Sequence, residues 1–214
     1  MKDFVVLDLD GTLINTLIGI TKASNLFLKA FNYPYFYSEE QVKSFIGRGA
    51  RRLFLCLVHK EDFDDKLEKE YQEFLKFYEE NQYSSIPYDG VKETLLTLNK
   101  IGIKIIVYSN KPNALLQKLI SNKLSEVKFL HLQGQDDNFP PKPDVTLLRL
   151  ILNKYDLAPI NGLYVGDGYV DFLTSINIKM DFCFCEYGYC SLENKNKIVG
   201  FKIEKFNELL NFLK

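Results

Sequence analysis

The chain has 214 residues and a formal net charge of −1. This balance excludes the strongly basic surface that binds nucleic acid or anionic membranes without specificity. No stretch approaches the ~18 consecutive apolar residues of a membrane span, and the first apolar run ends at Asp8, too early for a secretory signal. We therefore expect a cytoplasmic protein with no nucleic-acid or membrane partner, built as one domain or as a main domain with a smaller insert.

Cysteine and histidine usage limits the metal chemistry. The four cysteines form no CxxC pair and no spacing typical of a zinc site, so we expect free thiols in a reducing compartment. Only two histidines are present. A divalent metal would therefore take oxygen ligands, which favours Mg²⁺ over Zn²⁺.

Short apolar runs predict the strands of a buried sheet. They lie at residues 4–7, 103–108 and 163–165 and, with a weaker pattern, at 128–132 and 182–185. Helical spacing of apolar residues follows at 91–98, 113–122, 144–154, around 170–177 and at 204–213. This alternation predicts the α/β class, with a Rossmann-like open parallel sheet covered by helices on both faces.

Residues 17–82 break the alternation. Helical patterns follow one another there, at 17–31, after a capping box at 38–41, at 50–59 and at 67–78. The section predicts an all-helical insert. A core domain of residues 1–15 plus 83–214 would then carry a helical domain of residues 16–82.

Two carboxylates follow the first strand directly. Asp8 and Asp10 are two residues apart, so their side chains point the same way from an extended chain. Placing two anions at the end of a buried strand is unfavourable unless a cation offsets them. A turn at Asp10-Gly11 would account for Asp10 but not for Asp8.

Polar residues also end the next two long strands. Ser109, Asn110 and Lys111 can hold phosphoryl oxygens through a hydroxyl and backbone N–H groups, although they are equally typical of a loop. Asp167 and Asp171 bring two more carboxylates to a strand-to-helix turn. Either could cap the helix. Four convergent carboxylates, however, raise one another's pKa values unless a divalent cation binds.

Lys142 lies in a proline-rich segment, Pro140-Pro141-Lys142-Pro143, whose restricted backbone can hold its side chain in one direction. Such a lysine is usually a solvated surface residue. A carboxylate-rich phosphate site requires a permanent positive group, which favours a role for Lys142 in that site.

Together these residues resemble the haloacid dehalogenase superfamily, and within it the phosphatases. Asp8-Leu9-Asp10-Gly11-Thr12-Leu13 looks like the first motif, Ser109 like the second, Lys142 like the third, and Asp167 with Asp171 like the fourth. The resemblance implies a core sheet of strand order 5-4-1-2-3 with a helical cap inserted just after the first motif.

The resemblance also implies a role for each residue. Asp8 would be the nucleophile that forms an aspartyl-phosphate, and Asp10 the general acid and base. Ser109 and Lys142 would bind the transferring oxygens. Mg²⁺ would be held by Asp8, Asp10, Asp167 and Asp171, and further substrate-binding residues would be Gly11, Thr12, Arg48, Gly49 and Asn110.

The predicted cap segment at residues 45–50 and the return segment at 86–91 resemble those of phosphoglycolate-phosphatase-type enzymes. This similarity implies a small phosphorylated metabolite such as 2-phosphoglycolate as substrate, contacted by Arg48, with the protein acting as a monomer or homodimer. An ordinary surface arginine at a helix start is the alternative for Arg48. Asn15 departs from the pattern, because many relatives carry an acidic residue there.

Other functions stay open at this point. A hexose-phosphate mutase resembling beta-phosphoglucomutase would share Asp8 and Asp10 but return the phosphoryl group to a sugar. A pyrophosphatase or nucleotidase would differ only in its leaving group. A catalytically silent binding module would share the fold, but the intact set of Asp8, Asp10, Lys142 and Asp167 argues against it.

Overall fold

The computed structural model describes residues 2–213. Within them the strands are β1 (Phe4–Leu7), β2 (Ile14–Asn15), β3 (Ile86–Pro87), β4 (Lys104–Pro112), β5 (His131–Gln135), β6 (Gly162–Gly166), β7 (Asp181–Cys185) and β8 (Phe201–Ile203). The α-helices are α1 (Leu17–Ala30), α2 (Glu39–Lys43), α3 (Ala50–Leu57), α4 (Asp65–Asn81), α5 (Val91–Lys100), α6 (Asn113–Lys123), α7 (Thr146–Lys154), α8 (Tyr169–Ile178) and α9 (Leu192–Lys195).

One parallel sheet contains six of these strands, in the order β5-β4-β1-β6-β7-β8. From β7 to β5 this is the expected order 5-4-1-2-3, and β8 adds an edge strand. All four residues of β1 are fully buried, because helices cover both faces. Val5 and Leu7 pack with residues of α5 and α6 on one face. Phe4 and Val6 pack with residues of α7 on the other. The predicted α/β class with an open parallel sheet is confirmed.

Several elements differ from the predictions, each for a local reason. β5 spans His131–Gln135 instead of the predicted 128–132. This edge strand is largely polar, so little apolar pattern marks its bounds. The predicted helix at 204–213 is a 3₁₀ segment, Phe206–Phe212. Its apolar residues Phe206, Leu209 and Phe212 recur every three positions, which is the 3₁₀ repeat. None of the helices in the described part of the chain combines the length and apolar character needed to cross a membrane.

Helices α1 to α4 form a helical section that interrupts the alternation of strands and helices along the chain. The capping box predicted before α2 is present, with Ser38 and Gln41 bonded reciprocally. A short antiparallel pairing of β2 with β3 joins the two points where the chain leaves and re-enters the core. Buried residues between Ile20 and Tyr78 make their own hydrophobic cluster, to which the rest of the chain contributes Leu115. We keep the division at residues 16–82 as a proposal, which this separate cluster supports.

Phe27 tests the cluster of the helical section. Its ring contacts those of Phe31, Tyr33, Phe54, Phe74 and Phe77. We expect Phe27→Ala to lower the free energy of unfolding by about 3–5 kcal/mol, because it leaves a cavity that its neighbours cannot fill. The matched control is Leu26→Ala on the same helix, where the side chain is 40% exposed and the expected loss is below ~1 kcal/mol. Urea titration measures both, and equal losses would contradict the prediction.

Candidate active site

The carboxyl ends of β1, β4 and β6 bring the predicted site residues together. Asp8 follows β1, Ser109 lies near the end of β4, and Asp167 follows β6. Asp171 lies in the first turn of α8. Because these three strands are parallel neighbours, their ends meet at one edge of the sheet, where α/β proteins bind ligands.

Lys142 joins two of the carboxylates. Its Nζ lies 3.0 Å from Oδ1 of Asp8 and 2.7 Å from Oδ1 of Asp171, and all three side chains are buried. Burial opposes the charge on Lys142, but the carboxylates of Asp171 and Asp8 outweigh it and hold the lysine pKa well above its ordinary value. Lys142 is therefore a permanent cation beside Asp8.

Asn110 holds Lys142 in place. Its Oδ1 accepts a hydrogen bond from the backbone N–H of Lys142 at 2.8 Å, and its Nδ2 donates to the carbonyls of Lys142 and Gly47 at 3.3 and 3.1 Å. Asn110 was predicted to bind substrate. In the structure, both N–H groups of its amide are used within the protein, so the side chain positions Lys142 and links the helical section to the core.

Asp167 is held by the loop after β1. Oγ1 of Thr12 donates to its Oδ1 at 2.8 Å, and the backbone N–H of Tyr189 donates to its Oδ2 at 2.6 Å. Gly11 has a φ of +85°, and a Cβ there would lie 2.7 Å from Cγ of Asp167. Thr12 and Gly11, predicted to bind substrate, therefore pack against Asp167 and orient it.

Burial and mutual repulsion make this carboxylate cluster unfavourable by itself. Burial, with the charges of Asp171 and Asp8, raises the pKa of Asp167 to about 8. Burial and Asp8 also raise the pKa of Asp171 to about 6, although Lys142 opposes the shift. Oxygens of Asp8, Asp167 and Asp171 lie within 4.8 Å of one another. This donor set fits a hard divalent cation such as Mg²⁺, whose charge would offset the repulsion.

Asp171 has a structural contact as well. Its Oδ2 accepts from the backbone N–H of Gly168 at 3.0 Å, so it closes the first turn of α8. The two interpretations of Asp171, helix cap and site residue, are therefore both compatible with its position.

Two cavities meet at Asp8 and Asp10. The inner one has a volume of about 30 Å³ and lies between Ser109 and Lys142 of the core and Gly49 and Leu53 of the helical section. The outer one has about 520 Å³ and extends past Asp167 to Arg48. Arg48 is exposed. Ser109 and Lys142 thus line the inner cavity, whereas Asp167, Asp171 and the exposed Arg48 line the outer one.

Lys111 and Tyr78 line the site beside Asp10, and no role for either side chain was predicted from the sequence. Nζ of Lys111 donates to the hydroxyl of Tyr78 at 2.6 Å and to Oδ1 of Asp10 at 3.3 Å. Both residues are buried and line the inner cavity. Burial lowers the pKa of Lys111, while the carboxylates of Asp10 and Asp8 oppose that shift. Lys111 stood in the polar cluster after the second strand, but Tyr78 matched only the core spacing of its helix.

The chain is similar to proteins of one family. The profile described as haloacid dehalogenase-like hydrolase matches residues 5–185. A phosphoglycolate phosphatase of Vibrio cholerae is 31% identical over 196 residues, covering 86% of this chain and 84% of the relative. The phosphoglycolate phosphatase of Colwellia psychrerythraea is 28% identical over 222 residues, covering 100% and 97%.

A solved structure of a protein with the same kind of name has a similar fold. The crystal structure of a predicted phosphoglycolate phosphatase from Haemophilus somnus superposes with a TM-score of 0.88 at 27% identity, covering 100% of this chain and 98% of the other. The similarity therefore extends over the helical section as well as the sheet.

The carboxylate cluster predicts a stability that depends on pH and metal. Because the pKa of Asp167 is raised to about 8 from an ordinary 3.8, the unfolded chain loses this proton at a lower pH than the folded protein does. Metal-free protein should lose stability as the pH rises from ~4 toward 8. In EDTA we expect the Tm to fall between pH 6 and pH 8, and Mg²⁺ at pH 8 to raise it by roughly 3–6 °C.

Asp167→Asn checks the source of this effect. We expect the variant to have a higher Tm than wild type at pH 8 in EDTA and to gain little from Mg²⁺, because the neutral amide removes one buried charge. Asp137→Asn, at an exposed position, is the control and should behave as wild type in differential scanning calorimetry. A Mg²⁺ response that survives in Asp167→Asn would exclude Asp167 as a ligand.

Proposed function

The chain is a phosphatase of the haloacid dehalogenase-like hydrolase family, and we propose that it is a Mg²⁺-dependent phosphomonoester hydrolase that acts through an aspartyl-phosphate on Asp8. The observation that carries this proposal is the position of Asp8. It is a buried carboxylate between the two cavities, with the Lys142 ammonium 3.0 Å away.

In the first proposed step, a carboxylate oxygen of Asp8 attacks phosphorus as the bond to the ester oxygen breaks. Asp10 lines the same cavities as Asp8, and it gives a proton to the departing oxygen. Lys142 balances charge at Asp8 and, with the hydroxyl of Ser109, binds oxygens of the phosphoryl group. When bound by Asp8, Asp167, Asp171 and the carbonyl of Asp10, Mg²⁺ supplies positive charge against the phosphate.

The second proposed step returns the enzyme to its starting state. Asp10, now deprotonated, takes a proton from a water molecule that attacks the aspartyl-phosphate. Inorganic phosphate leaves and the Asp8 carboxylate is restored. Residues of the helical section, including Ile46 and Leu53, line the inner cavity. They limit its access to bulk water, which strengthens the electrostatic interactions around phosphorus.

We propose a small phosphorylated metabolite such as 2-phosphoglycolate as substrate. The relatives named phosphoglycolate phosphatase support this choice, as does the small size of the inner cavity beside Asp8, which disfavours a large leaving group. The four cysteines are free, which supports a place in the reducing cytoplasm.

Asp8→Asn tests the nucleophile. An amide is a far weaker nucleophile of nearly the same volume, so we expect kcat to fall by at least about 10³-fold without loss of the fold. The matched control is Asp3→Asn, an exposed position before the same strand, which should keep full activity. Phosphate release measures turnover. Mass spectrometry of quenched wild-type enzyme should find a phosphoryl group on Asp8. Activity within tenfold of wild type would rule out Asp8.

A substrate panel tests the reaction class. With Mg²⁺, we expect phosphate release from 2-phosphoglycolate at a higher kcat/KM than from sugar phosphates, nucleotides or pyrophosphate. EDTA should abolish the release. Isomerisation of a hexose phosphate without phosphate release would instead identify a mutase.

A further inference from the structure

We propose that Lys111 and Tyr78 bind a carboxylate on the leaving group, so that the preferred substrates are short phosphorylated 2-hydroxy acids. This inference rests on the proposed phosphatase function and assigns its specificity to the inner cavity. Lys111 lies in β4, and Tyr78 lies in α4 of the helical section, so the binding site requires both parts of the chain.

The Lys111 ammonium is buried beside Asp10. Its side chain is 0% exposed, and Oδ1 of Asp10 lies 3.3 Å away, longer than the ~2.7–2.9 Å of a strong charge-assisted hydrogen bond. Lys142, in contrast, contacts two carboxylates at 3.0 and 2.7 Å. An ammonium has three N–H groups, and the contacts to Asp10 and Tyr78 use two. Lys111 is therefore a buried cation with capacity for an anion.

Tyr78 supplies a second donor at the same place. Its hydroxyl oxygen accepts from Nζ of Lys111 at 2.6 Å, which leaves its own O–H proton free to donate to a ligand. The remaining walls contributed by the helical section are apolar or small and include Ile20, Ile46 and Leu53. Such walls suit a methylene group, whereas the two polar groups of Lys111 and Tyr78 suit a carboxylate.

Because Lys111 lies beside Asp10, only a substrate carboxylate close to the ester oxygen can reach it. In the proposed reaction Asp10 protonates the ester oxygen, which must lie within hydrogen-bond reach of it. In a phosphorylated 2-hydroxy acid the carboxyl carbon is only two bonds from that oxygen. A substrate whose ester oxygen meets Asp10 can therefore bring its carboxylate to Nζ of Lys111, which lies 3.3 Å from Oδ1 of Asp10.

Arg48 is the competing receptor, since it was predicted from the sequence to contact the substrate. It is exposed and lines the outer cavity. An ion pair at an exposed position contributes little, because water and salt screen it. A buried ammonium in a small cavity discriminates more strongly, since a ligand without the anion leaves it unpaired.

The test compares two substrates of the same length. 2-Phosphoglycolate carries the carboxylate, and 2-hydroxyethyl phosphate carries a neutral hydroxyl in its place. We expect wild type to prefer 2-phosphoglycolate in kcat/KM. Lys111→Met should lower kcat/KM for 2-phosphoglycolate at least about tenfold more than for 2-hydroxyethyl phosphate. Most of this selective loss should appear in KM, because the carboxylate binds equally in the ground state and the transition state.

Three further variants keep the test decisive. Tyr78→Phe preserves the ring and should show a smaller selective loss in the same direction, even where Lys111→Met folds poorly. Arg48→Met should lower the two kcat/KM values by similar factors. Lys118→Met, at an exposed ion pair with Glu79, controls for loss of a lysine. The Kd of 2-phosphoglycolate for Asp8→Asn, with and without Lys111→Met, measures the same interaction without turnover.

The outcomes separate this inference from the proposed function. Equal losses on both substrates in Lys111→Met and Tyr78→Phe would mean that these residues only support Asp10, and would overturn the inference while leaving the phosphatase intact. A selective loss confined to Arg48→Met would overturn it in favour of the outer cavity. A wild type that hydrolyses no phosphomonoester with Mg²⁺ would overturn both.

Discussion

The balance of charge at the end of β1 is the constraint on which the rest of the site depends. Asp8, Asp167 and Asp171 are buried close together, an arrangement that water-excluded carboxylates tolerate only with compensating cations. Lys142 compensates Asp8 and Asp171 directly. The remaining excess of negative charge centres on Asp167. Burial and the charges of Asp171 and Asp8 raise the pKa of this residue. The same excess that weakens the metal-free protein favours a divalent cation, whose charge would in turn favour a phosphate beside it.

Much of this could be predicted from the sequence, because the signals are local. A buried strand followed by Asp8 and Asp10 places two carboxylates on one side of the chain, and parallel strands bring Ser109 and Asp167 to the same edge. The contacts of Asn110 with Gly47 and of Lys111 with Tyr78 join residues far apart in the chain. No local pattern encodes such contacts. Neither the contact of Asn110 with the helical section nor a role for Tyr78 in the site could therefore be predicted.

The edge elements show the same limit for the fold. β8 has three residues, of which Phe201 and Lys202 are exposed, so no continuous apolar run marks it. β1, buried on both faces, carries the full apolar signal of a central strand. Sequence pattern thus predicts the centre of the sheet, where burial dictates residue type, better than its edges, where pairing to one neighbour suffices.

Asn15 and Tyr189 connect the carboxylate cluster to the start of the helical section. The Tyr189 backbone N–H binds Asp167, while its hydroxyl accepts from the N–H groups of Thr16 and Leu17 and donates to Oδ1 of Asn15. An acidic residue at position 15 would bring another charge toward this bond. The amide instead makes a neutral hydrogen bond where the chain leaves the core. One tyrosine therefore contacts both the start of α1 and the carboxylate of Asp167, so the position of the helical section and the geometry of the carboxylate cluster depend on each other.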